Sequence, residues 1–565
     1  MEDREELRSI LPYLPVVARS SSVFWPSQVV EALKALSNGP HNSMVDSGEV
    51  LFLAISDLRQ SLSLAHSSDR LASAAADGYS LFFDDLLSRA EAAKWFGEVV
   101  PVMANLLLRL PFLLEAHYKD ADGNGGRMEG VKTGLRILES QEAGIVFLSQ
   151  ELIGSLLACS FFCLFPIAIR GPKHLPTINF DRLFASLYES YSEQQENKIK
   201  CIIHYFERIC SCMPLGVVSF ERKVLPLEHR PPCVSYPKAD YWSKSFVPLC
   251  CFKVCRSGLI EDHSSEGLQV DFANKYLGGG ALNRGCVQEE IRFMINPELI
   301  AGMLFLPSMA DNEAIEIVGA ERFSNYTGYA SSFRYSGDHI DKVDLDSMGR
   351  RRTRLVAVDA LCNPGKNQFR LGCLLREINK AFCGFFDQSR CQQYPRLFED
   401  DASCRTPIEE NVEGHIVMSE DLLLPNKAPS VTSESEDHGI RSSGGKTIQQ
   451  VVHQDQIGIV TGNWGCGAFG GDPELKATIQ WLAASQALRP FISYYTFHVE
   501  ELETLDQVTG WILSHEWTVG ELWNVLVDYS VQRLKGKTDL GFFSWLLPSL
   551  SSTCDTIMSD VQLTP

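Results

Sequence analysis

VDFANKYLGGGALNRGCVQEEIRF, residues 270–293, runs from a short apolar strand through three consecutive glycines into a segment with helical spacing. Gly278, Gly279 and Gly280 tolerate positive φ and let a ligand press against bare backbone. Beyond them stand Gln288, Glu289 and Glu290, in the first turn of the predicted helix. Two acids there also suit the positive end of a helix dipole. That purely structural reading explains the pair and leaves the triple glycine without a reason.

A second glycine-rich stretch, TGNWGCGAFGGDPELKATIQ (461–480), again joins a predicted strand to a predicted helix. Gly465, Gly467 and Gly470 spell G-x-G-x-x-G, the pattern that holds pyrophosphate at a helix N-terminus. Glu500 and Glu501 follow the next apolar run, FISYYTFH, loosely where a dinucleotide fold places its ribose-binding acid. No G-K-[ST] follows the glycines, so a P-loop is excluded. The segment reads as a diphosphate-binding backbone loop, with NAD among its candidate ligands. A tight strand–helix turn is the structural alternative.

Around these loops the texture alternates. Predicted strands are 216–222, 249–255, 268–273, 314–320, 354–361, 456–462 and 491–497. Predicted helices are 288–305, 373–386, 473–488 and 505–534. Near-continuous apolar strands alternating with helices imply an α/β sheet covered on both faces. Before residue 214 the period is 3.6 throughout, as in VVEALKALS (29–37) and IKCIIHYFERICSCM (199–213). The expected organisation is a helical accessory domain (1–213), a catalytic domain (214–535) and a C-terminal tail (536–565). Residues 396–449 read as a polar insertion with a Ser- and Gly-rich stretch, expected to be disordered.

With 565 residues, more than one domain is expected. The net charge of −20, from 51 basic and 71 acidic residues, argues against sequence-blind nucleic-acid binding. Seventeen cysteines of irregular spacing suit reduced thiols in a nuclear or cytoplasmic protein, and no zinc pattern is complete. The N-terminal MEDREELRSILPYLP lacks a secretory core. Residues 152–169 carry no charge, but Ser, Gly, Cys and Pro166 dilute them, and a buried helix is expected rather than a membrane span. The Arg350-Arg351-Arg352-Thr353-Arg354 run reads first as a solvated strand entry, with an import signal or phosphate contact as the alternative.

GGG followed after seven residues by QEE resembles the signature of poly(ADP-ribose) glycohydrolases. VDFANKY, EEIRFMINPEL, YTGYA (326–330) and TGNWGCGAFGGD look like that family as well, in consistent order across about 210–535. The N-terminal SILPYLP and FLSQELIGSLLACSFFCLF look like its plant members. The resemblance implies a macrodomain-like mixed sheet flanked by helices, with an N-terminal all-α accessory domain. It implies that Glu290 is the general acid, Glu289 holds the ribose hydroxyls and Asp271 orients the site. Asn274 and Gln288 would bind the ribose and the neighbouring polymer unit. Gly278, Gly279 and Gly280 would let the ligand approach. Tyr329 would stack on adenine, with Ile260 and Glu261 nearby. Asn463, Trp464, Gly465, Cys466, Gly467 and Ala468 would wrap the diphosphate with backbone N–H groups, and Phe469 would pack on the distal ribose. No cofactor or metal is implied. The expected partners are poly(ADP-ribose) and ADP-ribosylated proteins, with no direct sequence-specific nucleic-acid contact and no membrane, for a monomer. A non-catalytic ADP-ribose reader and an NAD-linked oxidoreductase are the competing readings. The second leaves QEE without a role.

Overall fold

The computed structural model describes residues 4–19, 22–64, 67–122, 131–228, 234–263, 266–387 and 457–548. Its centre is an eight-stranded sheet: β1 (Gly144–Ser149), β2 (Val217–Val224), β3 (Cys251–Cys255), β4 (Gly267–Asp271), β5 (Glu313–Val318), β6 (Arg354–Ala357), β7 (Gly458–Gly462) and β8 (Phe491–Tyr495). The spatial order is β1-β2-β5-β6-β4-β7-β8-β3. From β6 to β3 all neighbours are parallel. From β1 to β6 they are antiparallel. The sheet is therefore mixed, as expected. All seven sequence-predicted strands are present. Every residue of GIVTG in β7 is buried, which is the signature of a strand covered on both faces.

Alternate residues show what covers each face. Leu355, Ala357, Ile315 and Ile317 join one core with the N-terminal helices, among them α1 (Val100–Asp122), α2 (Gln150–Phe161) and α3 (Glu193–Ser211). Helix α4 (Gln288–Ile295) packs in that same core through Ile291, Phe293 and Met294. On the other face lies α5 (Leu371–Phe385), whose Gly384 sits against Val356 and Ala314. It packs on α6 (Pro473–Gln486). Strand β4 thus leads to a helix on one face, and its neighbour β7 leads to a helix on the other. A crevice opens between the carboxyl ends of two such strands, where α/β sheets bind ligands.

The uncharged stretch from 152 forms most of α2. All of its residues except Glu151 are buried, and Ser149 caps it by accepting from the Leu152 N–H at 3.2 Å. Two expected helices are each broken once. The predicted 288–305 ends at Ile295, because Pro297 has no N–H to continue the ladder, and resumes as a 3-10 turn over Pro297–Leu304. The predicted 505–534 divides into Leu505–Ser514 and α7 (Val519–Leu534), around Glu516 at φ 53°.

The segment 1–213 is not purely helical. It contains β1, which pairs with β2 over six residues, and a small ribbon of Val17–Arg19 with Ser22–Phe24. The GIVFLS of β1 abuts the apolar start of α2, and this hides its period. The expected tail begins later than 536. Phe542 and Phe543 are buried, and the Phe543 N–H donates to Glu474 at 2.8 Å. The insertion 396–449 lies outside the described residues.

The arginine run at 350–354 is consumed by ion pairs. Arg350 meets Asp346, Arg351 meets Glu321, Arg352 meets Glu266 and Arg354 meets Glu316. That agrees with a strand entry and leaves no free basic cluster there.

Candidate active site

Glu289 and Glu290 leave the first turn of α4 and turn back into the triple-glycine loop. Glu289 accepts from the N–H groups of Asn274 (2.8 Å) and Gly278 (2.7 Å). Glu290 accepts from Gly280 (2.8 Å) through one oxygen and from Val287 (2.9 Å) through the other. The Val287 bond caps the helix and is of a piece with the dipole reading of the pair. The Gly280 bond is not, and it ties the acid to the loop. Gly279 lies at φ 49°, and a β-carbon there would sit 2.5 Å from Glu289 Oε2 and 2.7 Å from Glu290 Oε1. Glycine is therefore required twice, by conformation and by space. The two carboxyl groups converge on its bare α-carbon.

Asp271, at the carboxyl end of β4, completes an acidic cluster. Burial pushes its carboxyl up to about 7, with Glu290 adding to the shift and Arg292 opposing it. Burial also raises Glu289 well above the carboxylate range. Asp271 and Glu290 reinforce that rise, while the Asn274 and Gly278 N–H groups oppose it. Buried acids that repel one another favour a retained proton. Asp271 Oδ1 is buried and meets no hydrogen-bond partner among the described residues.

A cavity of about 520 Å³ opens in the crevice between β4 and β7. Gln288 and Ile291 form its wall on the α4 side, and Glu289 and Glu290 lie between them in the chain. The G-x-G-x-x-G loop forms the opposite wall. Residues 463–468 are expected to wrap the diphosphate by their N–H groups, and the structure shows which of those groups are already engaged. Trp464 donates its N–H to Gly462 (2.8 Å) and Cys466 donates to Asn463 (3.0 Å). Among the described residues, the N–H groups of Gly465, Gly467, Ala468 and Phe469 meet no acceptor. These four form a nest suited to an anion. Trp464 is a buried floor, donating its indole N–H to Val358 at 2.8 Å under the Lys476 ammonium. Asn463 is an anchor, donating to Thr496 O at 2.9 Å.

Gln288, in the cavity wall, is also held by the backbone of β4. Its amide oxygen accepts from Phe272 N (2.8 Å) and its NH2 donates to Val270 O (3.1 Å), so the side chain pins α4 to the end of β4. Asn274 spends its side-chain oxygen on the Tyr276 N–H at 3.0 Å.

Tyr329 lines the cavity and is 39% exposed. Ile260 and Glu261 line the same end, and the Tyr326 hydroxyl donates to Glu261. Phe497 was missed. It is 51% exposed, faces Tyr329 with ring centroids 5.6 Å apart and lines the cavity. The expected strand extends through 497, but β8 stops at Tyr495. Phe497 and His498 then both take positive φ, 53° and 55°. No residue in FISYYTFH announces that bend. Two successive non-glycine residues in this region are uncommon, and such conformations concentrate at functional sites.

Mixed sheet, helices on both faces and a cleft at the switch in strand order define an α/β protein of the macrodomain kind. Family models sharpen this. Residues 239–504 match that of the poly(ADP-ribose) glycohydrolase macro domain fold, and residues 87–222 match that of its helical domain. Poly(ADP-ribose) glycohydrolase 1 of Arabidopsis thaliana is 59% identical over 558 residues, covering 98% of this chain and 99% of the relative. A probable poly(ADP-ribose) glycohydrolase 2 of the same plant is 53% identical over 98% and 100%. Poly(ADP-ribose) glycohydrolase 1 of Caenorhabditis elegans is 32% identical over 54% of this chain and 32% of its own length. The chain belongs to the poly(ADP-ribose) glycohydrolase family.

Proposed function

We infer that this chain is a glycosidase that hydrolyses the ribose–ribose O-glycosidic bonds of poly(ADP-ribose) and releases ADP-ribose. One observation carries the reading. Two carboxyl groups, hooked by a glycine loop, converge on a bare α-carbon beside a cavity whose far wall offers free N–H groups to a diphosphate.

The reaction follows from this arrangement. Glu290 donates a proton to the 2′ oxygen of the departing ribose as the glycosidic bond breaks and an oxocarbenium ion develops. Each Glu290 oxygen keeps a second lone pair beyond its N–H partner, where that proton can sit. The carboxylate left behind then takes a proton from water, whose oxygen bonds to the anomeric carbon. Glu289, fixed by two N–H donors, holds the sugar hydroxyls. Asp271 sustains the protonation balance of the cluster. The adenine sits between Tyr329 and Phe497, and the diphosphate lies on Gly465–Phe469.

Polymer attached to proteins is the working substrate, and the chain acts as a monomer in the nucleus, the cytoplasm or both. Thiols that are free throughout the described residues, Cys159, Cys201 and Cys466 among them, support a reducing compartment. A non-catalytic reader would need the cradle without the buried acids, and a dehydrogenase would leave them idle.

The test is digestion of purified poly(ADP-ribose) with products resolved by size. Free ADP-ribose is the expected product. Polymer that stays intact while ADP-ribose still binds would select the reader instead.

A further inference from the structure

Helix α3 belongs to the helical segment, yet it touches both halves of the site through adjacent residues. Lys198 is fully buried, at 0% exposure. Its ammonium donates to the carbonyls of Asn283 (2.5 Å), Gly285 (2.6 Å) and, at longer range, Gly280 (3.4 Å). Those residues form the return of the triple-glycine loop. Gly280 is the residue whose N–H binds Glu290, and a β-carbon on Gly285 would lie 2.6 Å from the Glu290 carboxyl. One cation therefore holds the loop by its carbonyl side while the acid holds it by its N–H side.

The preceding residue grips the other wall. Asn197 accepts from the Tyr335 N–H at 3.0 Å. Tyr335 lies on the two-stranded ribbon of Ser324–Thr327 with Arg334–Asp338, whose connection bears Tyr329. Farther along α3, His204 and Arg208 reach Asp338 on the same ribbon.

We propose that Lys198 is a positioning residue for the catalytic loop and Asn197 one for the aromatic wall, so that the helical segment sets turnover and substrate affinity through two neighbouring side chains. This rests on the proposed function and adds a part to it.

The two contacts separate in kinetics. Lys198 supports the atoms around the reacting bond, and Asn197 supports a surface for the base. Misplacing a reacting group by about 1 Å can cost roughly 100-fold in rate. Burial draws the Lys198 ammonium down to about 8, against the raising influence of Cys286 and Glu290 facing it from the loop and α4, and of Cys201 on its own helix. The cation is thus lost as pH rises through that value, whereas an arginine guanidinium stays charged.

The experiment compares polymer digestion and ADP-ribose binding by the full chain and by K198M, K198R and N197A, with wild-type turnover as the control. Absence of wild-type turnover refutes the proposed function and not this inference. The expected result for K198M is kcat reduced at least about 10-fold with the Kd for ADP-ribose within about 3-fold of wild type. For N197A, KM and Kd rise with kcat little changed. K198R retains part of kcat and carries activity to higher pH than wild type. If K198M does not fold, the K198R pH profile decides alone. An alkaline limb identical to wild type, or equal losses of kcat and affinity in both K198M and N197A, overturns the proposal.

Discussion

Glu290→Gln tests the assigned chemistry at a single atom. The substitution keeps the size of the side chain and one acceptor oxygen. It removes the proton that the departing ribose needs. General acid–base catalysis contributes about 10²–10⁴-fold, which at ~1.36 kcal/mol per tenfold is about 2.7–5.4 kcal/mol of barrier. The fold should tolerate the change. One of the two N–H contacts, to Gly280 or Val287, will face the new NH2, and losing that hydrogen bond costs about 0.5–1.5 kcal/mol. The Gly465–Phe469 cradle and the aromatic pair are untouched by the substitution, so ADP-ribose should bind within about 3-fold of wild type. Single-turnover polymer digestion, read by chromatography of released ADP-ribose, together with calorimetric titration of ADP-ribose, separates the two effects. Turnover within tenfold of wild type would show that another group supplies the proton.

Gly279→Ala should abolish most turnover, because its methyl group would collide with both carboxyl groups at a positive-φ position, and thermal unfolding should show a loss of about 1–3 kcal/mol. Gly465→Ala, at φ 74° and 2.5 Å from the Ala360 Cβ, should weaken ADP-ribose far more than adenosine, a difference readable by calorimetry. Phe497→Ala should raise the Kd for ADP-ribose by about 5–150-fold if the ring stacks on the base at ~1–3 kcal/mol, and unchanged affinity would remove it from the site. Asp271 has a pKa raised in the folded state, so its stabilising contribution is complete below the unfolded value near ~3.9 and is lost as pH rises to about 7. Asp271→Asn should therefore stabilise the protein more at pH ~8 than at pH ~4.5 in thermal melts while lowering turnover, and an equal shift at both would contradict the burial of that charge.

Much of this was legible in the sequence because glycine placement and period-2 or period-3.6 patterning are local. The strands were found by their apolar runs, and the triple glycine and QEE were found as a pair of constraints that one structural role could not explain. Contacts made across the chain were not legible. Nothing in ENKIKC marks Lys198 as the partner of carbonyls more than eighty residues away. Gln288 lines the cavity and is at the same time a pin between α4 and β4, a second role set by the backbone groups of Val270 and Phe272 beside it in space. Phe497 depended on two positive φ angles that no residue type in the segment requires. The sheet does not respect the boundary at 213, since β1 is held by a partner strand beyond it, and the helical-domain match itself runs on to 222.

That last pairing bears on how the protein can be cut and how it came to be built. Starting the chain at 214 would strip β2 of its neighbour and leave a long strand with a row of unsatisfied amides, an invitation to edge-to-edge aggregation. The helical segment is thus a structural shareholder in the sheet, and neither piece is free to be swapped, shuffled or expressed as an independent module.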